Sequence, residues 1–168
     1  MTKADTVKTR RVYVNLDKTY EIAFTMRVLF EIENKFETAS RGLQELFGER
    51  DVDAAAFILS AAAGIPLRQV KPLICADNIS DLKTRVLEAV ICDFPDGEPD
   101  GERAERGDGK IDWDFLLYFT RVKLRFSERE FWRATPRALS KYIALYAQGI
   151  SGGAELSPQT AFIDELDF

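Results

Sequence analysis

Histidine is absent from the 168-residue chain, which removes the commonest general base and the commonest metal ligand in proteins. Nucleophilic Ser-His and Cys-His pairs are absent for the same reason. Cys75 and Cys92 are too far apart in sequence for a CxxC redox or zinc motif, so we expect two reduced thiols. Asp112 and Asp114 lie two residues apart on a predicted helix, so they do not face each other, and they suit its N-terminal dipole. We therefore expect no catalytic, metal or cofactor site, and no enzyme.

The Gly-rich motif does not complete a phosphate-binding site, and the acidic motif does not complete a calcium site. The sequence GDGK at residues 107–110 lacks the spacing and the following hydroxyl of a phosphate-binding loop. Asp96, Glu98 and Asp100 alternate as in a calcium loop, but Gly107 stands at the twelfth position, where a bidentate Glu is needed. A solvated acidic linker is the favoured interpretation.

The overall composition is that of a globular protein, with 46% hydrophobic and 30% charged residues. No apolar run approaches the roughly 20 residues that cross a bilayer. The basic N-terminus, MTKADTVKTRR, has no apolar stretch behind it, so it is not a secretion signal. The net charge is −5, and the negative charge is concentrated in residues 95–110 and 149–168. We expect a soluble cytoplasmic protein without membrane contact.

Residues 95–110, PDGEPDGERAERGDGK, form the clearest boundary in the chain. Pro, Gly and charge dominate them, which predicts a flexible acidic linker between an N-terminal module, residues 1–94, and a C-terminal module, residues 111–148. Residues 149–168 are predicted to be a disordered acidic tail, in which AFIDELDF could dock on another surface. The expected fold is mainly α with an N-terminal β-hairpin (α+β), arranged as two small helical modules.

The N-terminal module begins with two runs that predict a hairpin, VKTRRVYVNL and TYEIAF, with Asp17-Lys18 in the turn. Helices should follow. Thr25 is expected to cap the first helix. Asp51 is expected to cap the helix VDAAAFILSAAA, and Ser80 the helix DLKTRVLEAVICDF. The helix after Asp51 is apolar nearly all round, so it is central to the core or covered by a partner. The positions expected to face inward on the other two helices are Leu29, Ile32, Phe36, Leu82, Val86 and Val90.

The C-terminal module is predicted to contain three helices. The first, DWDFLLYFTRVKLRF at residues 112–126, has apolar positions around more than one stripe, and a module of about 40 residues is too small to bury them all. Ser127 and Glu130 form a capping box for the second helix. Thr135-Pro136 begins the third, since Pro is favoured at the first helical position. Its expected apolar face is Leu139, Tyr142, Ile143 and Tyr146.

The same module carries seven basic and four acidic residues, so nucleic acid is a possible partner. Three helices with tight turns could mimic a helix-turn-helix. The basic residues are spread over all three helices, however, and the whole chain is acidic. This pattern favours a solvated helical face over DNA binding.

Residues 111–139 resemble the tail assembly chaperones of long-tailed bacteriophages and of the related gene transfer agents. The distinctive part is FWRATPRAL, with the aromatic pair Phe131-Trp132 just before the Thr135-Pro136 helix start, and with Trp113 near the start of the module. A larger apolar residue often precedes the Thr in that family, and here it is Ala134. The N-terminal half is similar to a companion family of the same tail-gene cluster, through TMRVLFEIENKF and GLQELF.

This resemblance implies a chaperone that binds the long helical tape-measure protein and helps tail-tube subunits polymerise around it. Such a protein works in the cytoplasm of the bacterial host and is absent from the mature particle, and self-association is possible. The residues that would contact the partner are Trp113, Phe131, Trp132, Thr135, Pro136, Leu139 and Tyr142. For Phe131 a core position is the favoured role, and for both tryptophans core and interface are equally weighted. The alternatives are a structural tail component or tail-completion protein, and a DNA-binding regulator.

Overall fold

The computed structural model describes residues 10–49, 51–95 and 110–151. A two-stranded antiparallel hairpin comes first and helices follow, as predicted. In chain order the elements are β1 (Val12–Asn15), β2 (Thr19–Ile22), α1 (Met26–Phe36), α2 (Ala39–Glu45), α3 (Asp51–Ala63), α4 (Leu67–Val70), a 3-10 turn (Lys71–Leu73), α5 (Ile79–Asp93), α6 (Trp113–Val122), α7 (Glu128–Arg133) and α8 (Pro136–Ser151). Most of the predicted linker (residues 96–109), most of the predicted tail (residues 152–168) and the calcium-like acidic pattern lie outside the described residues.

The hairpin buries one face, as alternation in its sequence predicts. Val12 pairs with Ile22 and Val14 with Tyr20, so the apolar side chains of β1 fall on the same side as Ile22. The amide of Leu16 donates to the carbonyl of Lys18 at 2.9 Å across the turn. The buried face lies over α3 and α5, which β2 and β1 respectively contact.

Helix α3 lies at the centre of the core and contacts α1, α2, α4, α5 and β2. Its buried positions include three consecutive alanines, and these small side chains let several neighbours approach closely. The helix ends at Gly64, whose φ of +65° is a left-handed conformation that glycine adopts without strain. Of the two roles expected for this apolar helix, the structure shows the central one.

Helix capping follows the sequence predictions at three positions. The hydroxyl of Thr25 accepts from the amide of Val28 at 3.4 Å and begins α1. Ser127 and Glu130 form both halves of the predicted capping box at the start of α7. The hydroxyl of Thr135 accepts from the amide of Ala138 at 3.3 Å at the start of α8.

Two predicted helix boundaries were wrong. Ser80 lies inside α5, which begins earlier because the side chain of Asn78 holds the preceding turn through bonds to the Cys75 amide and the Leu73 carbonyl, both 2.8 Å long. The helix predicted over residues 112–126 ends at Val122. Arg125 has a φ of +58°, which a helix cannot include, so the chain turns there before α7.

Both halves of the sequence contribute to one buried cluster. Phe131 of α7 and Leu139 of α8 belong to the same hydrophobic core as the residues of α1, α3 and α5. Helix α7 packs on α1, and α8 packs on α5. The C-terminal helices therefore lie against the N-terminal ones.

Candidate protein-interaction surface

A buried carboxylate on α1 ties the start of the C-terminal half to the N-terminal half. Glu33 is only 8% exposed, and one of its oxygens accepts from the Trp113 indole N–H at 2.8 Å. The other accepts from the Ile111 amide at 3.0 Å. Because a buried carboxylate without donors would be strongly destabilising, these two bonds fix where α6 begins.

The two tryptophans meet in an aromatic cluster beside this carboxylate. The ring centroid of Phe30 lies 5.3 Å from both Trp113 and Trp132, and the two indoles are 5.9 Å apart. The ring centroids of Phe131 and Trp132 are 4.9 Å apart, and Phe131 is fully buried. Both tryptophans are partly buried and pack against the core, so each has a packing role and a remaining exposed edge.

The segment FWRATPRAL makes specific contacts with the N-terminal half. The carbonyl of Ala134 accepts from the Met26 amide at 2.8 Å, at the first residue of α1. The guanidinium of Arg137 donates to the carbonyls of Cys92, at 2.7 Å, and Ile91, at 2.9 Å. These carbonyls lie in the last turn of α5, where a cation and N–H donors are both stabilising. Most of the motif therefore serves docking within the chain.

The seven residues proposed from sequence for partner contact thus divide into three groups. Phe131 is 0% exposed and Leu139 is 3% exposed, so both are core residues. Thr135 and Pro136 shape the start of α8 and are partly buried. Trp113, Trp132 and Tyr142 are partly exposed, and Tyr142 packs edge-on against Phe126 with centroids 5.2 Å apart.

Most of the large apolar side chains that are exposed in the described part of the C-terminal half lie on one face of α6. We call this face the α6 stripe: Phe115, Tyr118, Phe119 and Val122. The spacing is i, i+3, i+4, i+7, so the four side chains share one helix face. Phe115 is 58% exposed, Tyr118 63% and Val122 50%. The opposite face of α6 carries Trp113 and the fully buried Thr120, so α6 is apolar on both sides.

Helix α8 lies beside the stripe and extends it. Phe119 meets Tyr146 edge-on with centroids 5.6 Å apart, and Phe115 stacks on Phe119 at 6.0 Å. Leu145, on the neighbouring position of α8, is 44% exposed. Together the two helices present exposed apolar and aromatic side chains, which are typical of protein-binding sites.

The charged residues that flank the α6 stripe change from acidic to basic along the helix. Asp112 and Asp114 stand at its first turn, and the Asp112 carboxylate caps the helix through the Phe115 amide at 2.9 Å. Arg121, Lys123 and Arg125 follow at the other end and are exposed. Tyr118, Phe119 and Val122 therefore lie near positive charge, and Phe115 near negative charge.

Trp132 also borders an open groove of about 650 Å³ between the start of α1, the end of α3 and α7. Its lining combines small residues, Ala61, Ala62, Ala63 and Gly64, with arginines from α1 and α7. Arg27, one of these arginines, pairs with Glu31 at 3.1 Å. The exposed edge of Trp132 therefore lines a surface groove. The α6 stripe exposes more aromatic area, because Phe115 and Tyr118 are both mostly exposed.

Asp93 is a second buried carboxylate that joins distant parts of the chain. It is 5% exposed and accepts from the Phe24 amide at 2.7 Å. Burial raises its pKa, and the positive charge of Arg137 acts in the opposite direction. Its bond to backbone at the end of β2 gives it a structural role.

The described residues hold no cluster of three or more His, Cys, Asp or Glu side chains placed to bind a metal. Within the same ranges, no helix has the length and apolar character needed to cross a membrane. No protein-family model matches the chain, and neither a curated protein nor a solved structure matches it.

Proposed function

We propose that this protein is a tail assembly chaperone of a long-tailed phage or phage-like particle, and that it holds a helical segment of the tape-measure protein on the α6 stripe. The observation that carries the proposal is the stripe itself. Three of its apolar side chains, Phe115, Tyr118 and Val122, are exposed at helical spacing, and Phe119 between them packs on Tyr146 of α8. The opposite face of the same helix is already packed. A helix that is apolar on two faces needs a second covering surface.

The geometry suits a helical partner. An amphipathic helix presents anchors at i, i+3, i+4 and i+7, and such a row can pack against the stripe and the neighbouring Tyr146 and Leu145. Aromatic residues dominate the surface, and these contribute most to binding energy per side chain. A tape-measure protein is long and helical and exposes apolar faces before the tube encloses it, so it is a partner of this kind.

The remaining parts of the proposal follow from that activity. The chaperone keeps the tape-measure protein from aggregating in the host cytoplasm while tail-tube subunits polymerise around it, and the chaperone leaves before the particle is complete. Its partners are then the tape-measure protein and the tube subunits. The resemblance of FWRATPRAL to the chaperone family supports this assignment.

The test is co-expression with the tape-measure protein of the same gene cluster, followed by affinity capture and sizing. We expect the native chain to keep its partner soluble and to co-purify with it. Phe115→Ser together with Tyr118→Ser should abolish capture while leaving the fold intact, because both side chains are mostly exposed. Phe47→Ser is the matched control, since Phe47 is a 65% exposed aromatic residue in the N-terminal half.

The possible outcomes separate the candidate functions. Capture that survives the double substitution would place the binding site elsewhere. A folded native chain that fails to capture the partner, but is present in purified particles, would identify a structural tail component. Binding to duplex DNA that falls steeply with salt would identify a regulator instead.

A further inference from the structure

The basic residues at one end of the α6 stripe are unpaired within the described residues. Arg121 and Lys123 are exposed, and neither side chain forms an ion pair or hydrogen bond within residues 10–49, 51–95 and 110–151. They flank Tyr118 and Val122, which are 63% and 50% exposed. The surface therefore combines uncovered apolar area with uncompensated positive charge, and it should select an acidic, apolar segment.

The chain contains a segment with this composition. Residues 161–168, AFIDELDF, alternate between apolar and acidic groups: Phe162, Ile163 and Leu166 are apolar, and Asp164, Glu165 and Asp167 are acidic. We propose that this segment docks on the basic end of the α6 stripe of its own chain. Its apolar side chains cover Tyr118, Phe119 and Val122, and its carboxylates face Arg121 and Lys123.

The connection is long enough for the segment to reach the stripe. Helix α8 runs to Ser151, and Tyr146 on α8 already contacts Phe119 of the stripe. Five residues of helix between Tyr146 and Ser151 span about 7.5 Å. The ten residues from Gly152 to Ala161 can span up to about 33 Å when extended. The segment can therefore reach the α6 stripe.

Tethering makes a weak contact effective. A segment of eight residues has too few groups for tight binding in trans, but a short connection gives an effective concentration in the millimolar range. Apolar burial against the stripe and attraction between three acids and the adjacent basic residues both favour the docked state, and the second contribution falls as salt rises.

Paramagnetic relaxation measured on the full chain tests the docking in the absence of any partner. A spin label is placed at Thr160→Cys in a chain with Cys75→Ser and Cys92→Ser, and backbone amide intensities are recorded. We expect selective broadening of α6 between Tyr118 and Val122. Asp164→Lys, Glu165→Lys and Asp167→Lys together should remove it, and adding Arg121→Glu and Lys123→Glu should restore it through reversed charges.

Three outcomes would overturn the proposal: no broadening on α6, broadening confined to another surface, or broadening that the charge reversals leave unchanged. Mixing spin-labelled chains with isotope-labelled chains provides the control for association. Broadening seen only between different molecules would show that a second copy is the occupant. Because these spectra contain no tape-measure protein, they fail or succeed independently of the capture experiment.

Discussion

Replacing Glu33 by glutamine tests how strongly the two halves of the chain are held together. The carboxylate is 8% exposed and accepts from the Trp113 indole at 2.8 Å and from the Ile111 amide at 3.0 Å. A glutamine can accept only one of these bonds, and its amide group would point a donor at the other donor.

The cost follows from these two bonds. A hydrogen bond to a charged acceptor contributes about 1.5–3 kcal/mol, and a buried donor left unpaired costs about 1–3 kcal/mol. Glu33→Gln loses one bond and weakens the second, so we expect the free energy of unfolding to fall by about 2–4 kcal/mol. Glu31→Gln is the matched control on the same helix. The Glu31 side chain is 40% exposed and, within the described residues, pairs with Arg27 alone, so its replacement should cost less than about 0.5 kcal/mol.

Urea unfolding followed by tryptophan fluorescence measures the difference in stability between Glu33→Gln and Glu31→Gln, and its signal comes from the aromatic cluster beside Glu33. The chain has two tryptophans, and both belong to the cluster that Glu33 orients. Trp113→Phe removes the indole donor but keeps an aromatic ring, so combining it with Glu33→Gln should cost less than the sum of the single effects. Equal stability of Glu33→Gln and Glu31→Gln, or strict additivity with Trp113→Phe, would refute the assignment.

Three further predictions concern packing and charge. Gly42→Ala should lower the free energy of unfolding by about 1–3 kcal/mol in urea titrations, because its Cβ would clash with Cγ2 of buried Ile32. An unchanged or higher stability would contradict the close approach of α1 and α2. Ser127→Ala should cost about 1 kcal/mol in thermal unfolding, and no loss would show that the capping box is unimportant. Asp93→Asn should stabilise the protein at neutral pH, because burial raises the pKa of Asp93 and so disfavours its ionised form. The advantage should shrink as pH falls through the raised folded-state pKa towards the ordinary value of 3.8, and a constant advantage would contradict this cause.

Local features of the fold were predictable because their causes lie within a few residues. The hairpin follows from alternation around Val12 and Val14, and the capping box follows from the Ser127-Glu130 spacing. Ser80 was wrong as a cap because Asn78, two residues earlier, organises the turn through bonds that its type alone does not reveal. The end of α6 was wrong because Arg125, an unremarkable residue, adopts a positive φ.

The contacts between the two halves could not be predicted in the same way. Glu33 and Trp113 are 80 residues apart, and Phe24 and Asp93 are 69 apart, so no local pattern connects them. The α6 stripe did leave a signal, since Phe115, Tyr118 and Val122 have helical spacing and the helix has more apolar positions than one face can hold. Which of its faces is buried depends on the cluster around Phe30, and only the structure shows it.

Site-specific photocrosslinking tests the central claim, that the α6 stripe binds a helical partner, most directly. A photoreactive phenylalanine derivative replaces Tyr118 in one chain and Phe47 in another; the two side chains are 63% and 65% exposed. Each chain is co-expressed with the tape-measure protein and irradiated. Efficient crosslinking from position 118 and little from position 47 is the predicted result. Equal crosslinking from both positions, or none from position 118 in a complex that still forms, would contradict the assignment of this surface.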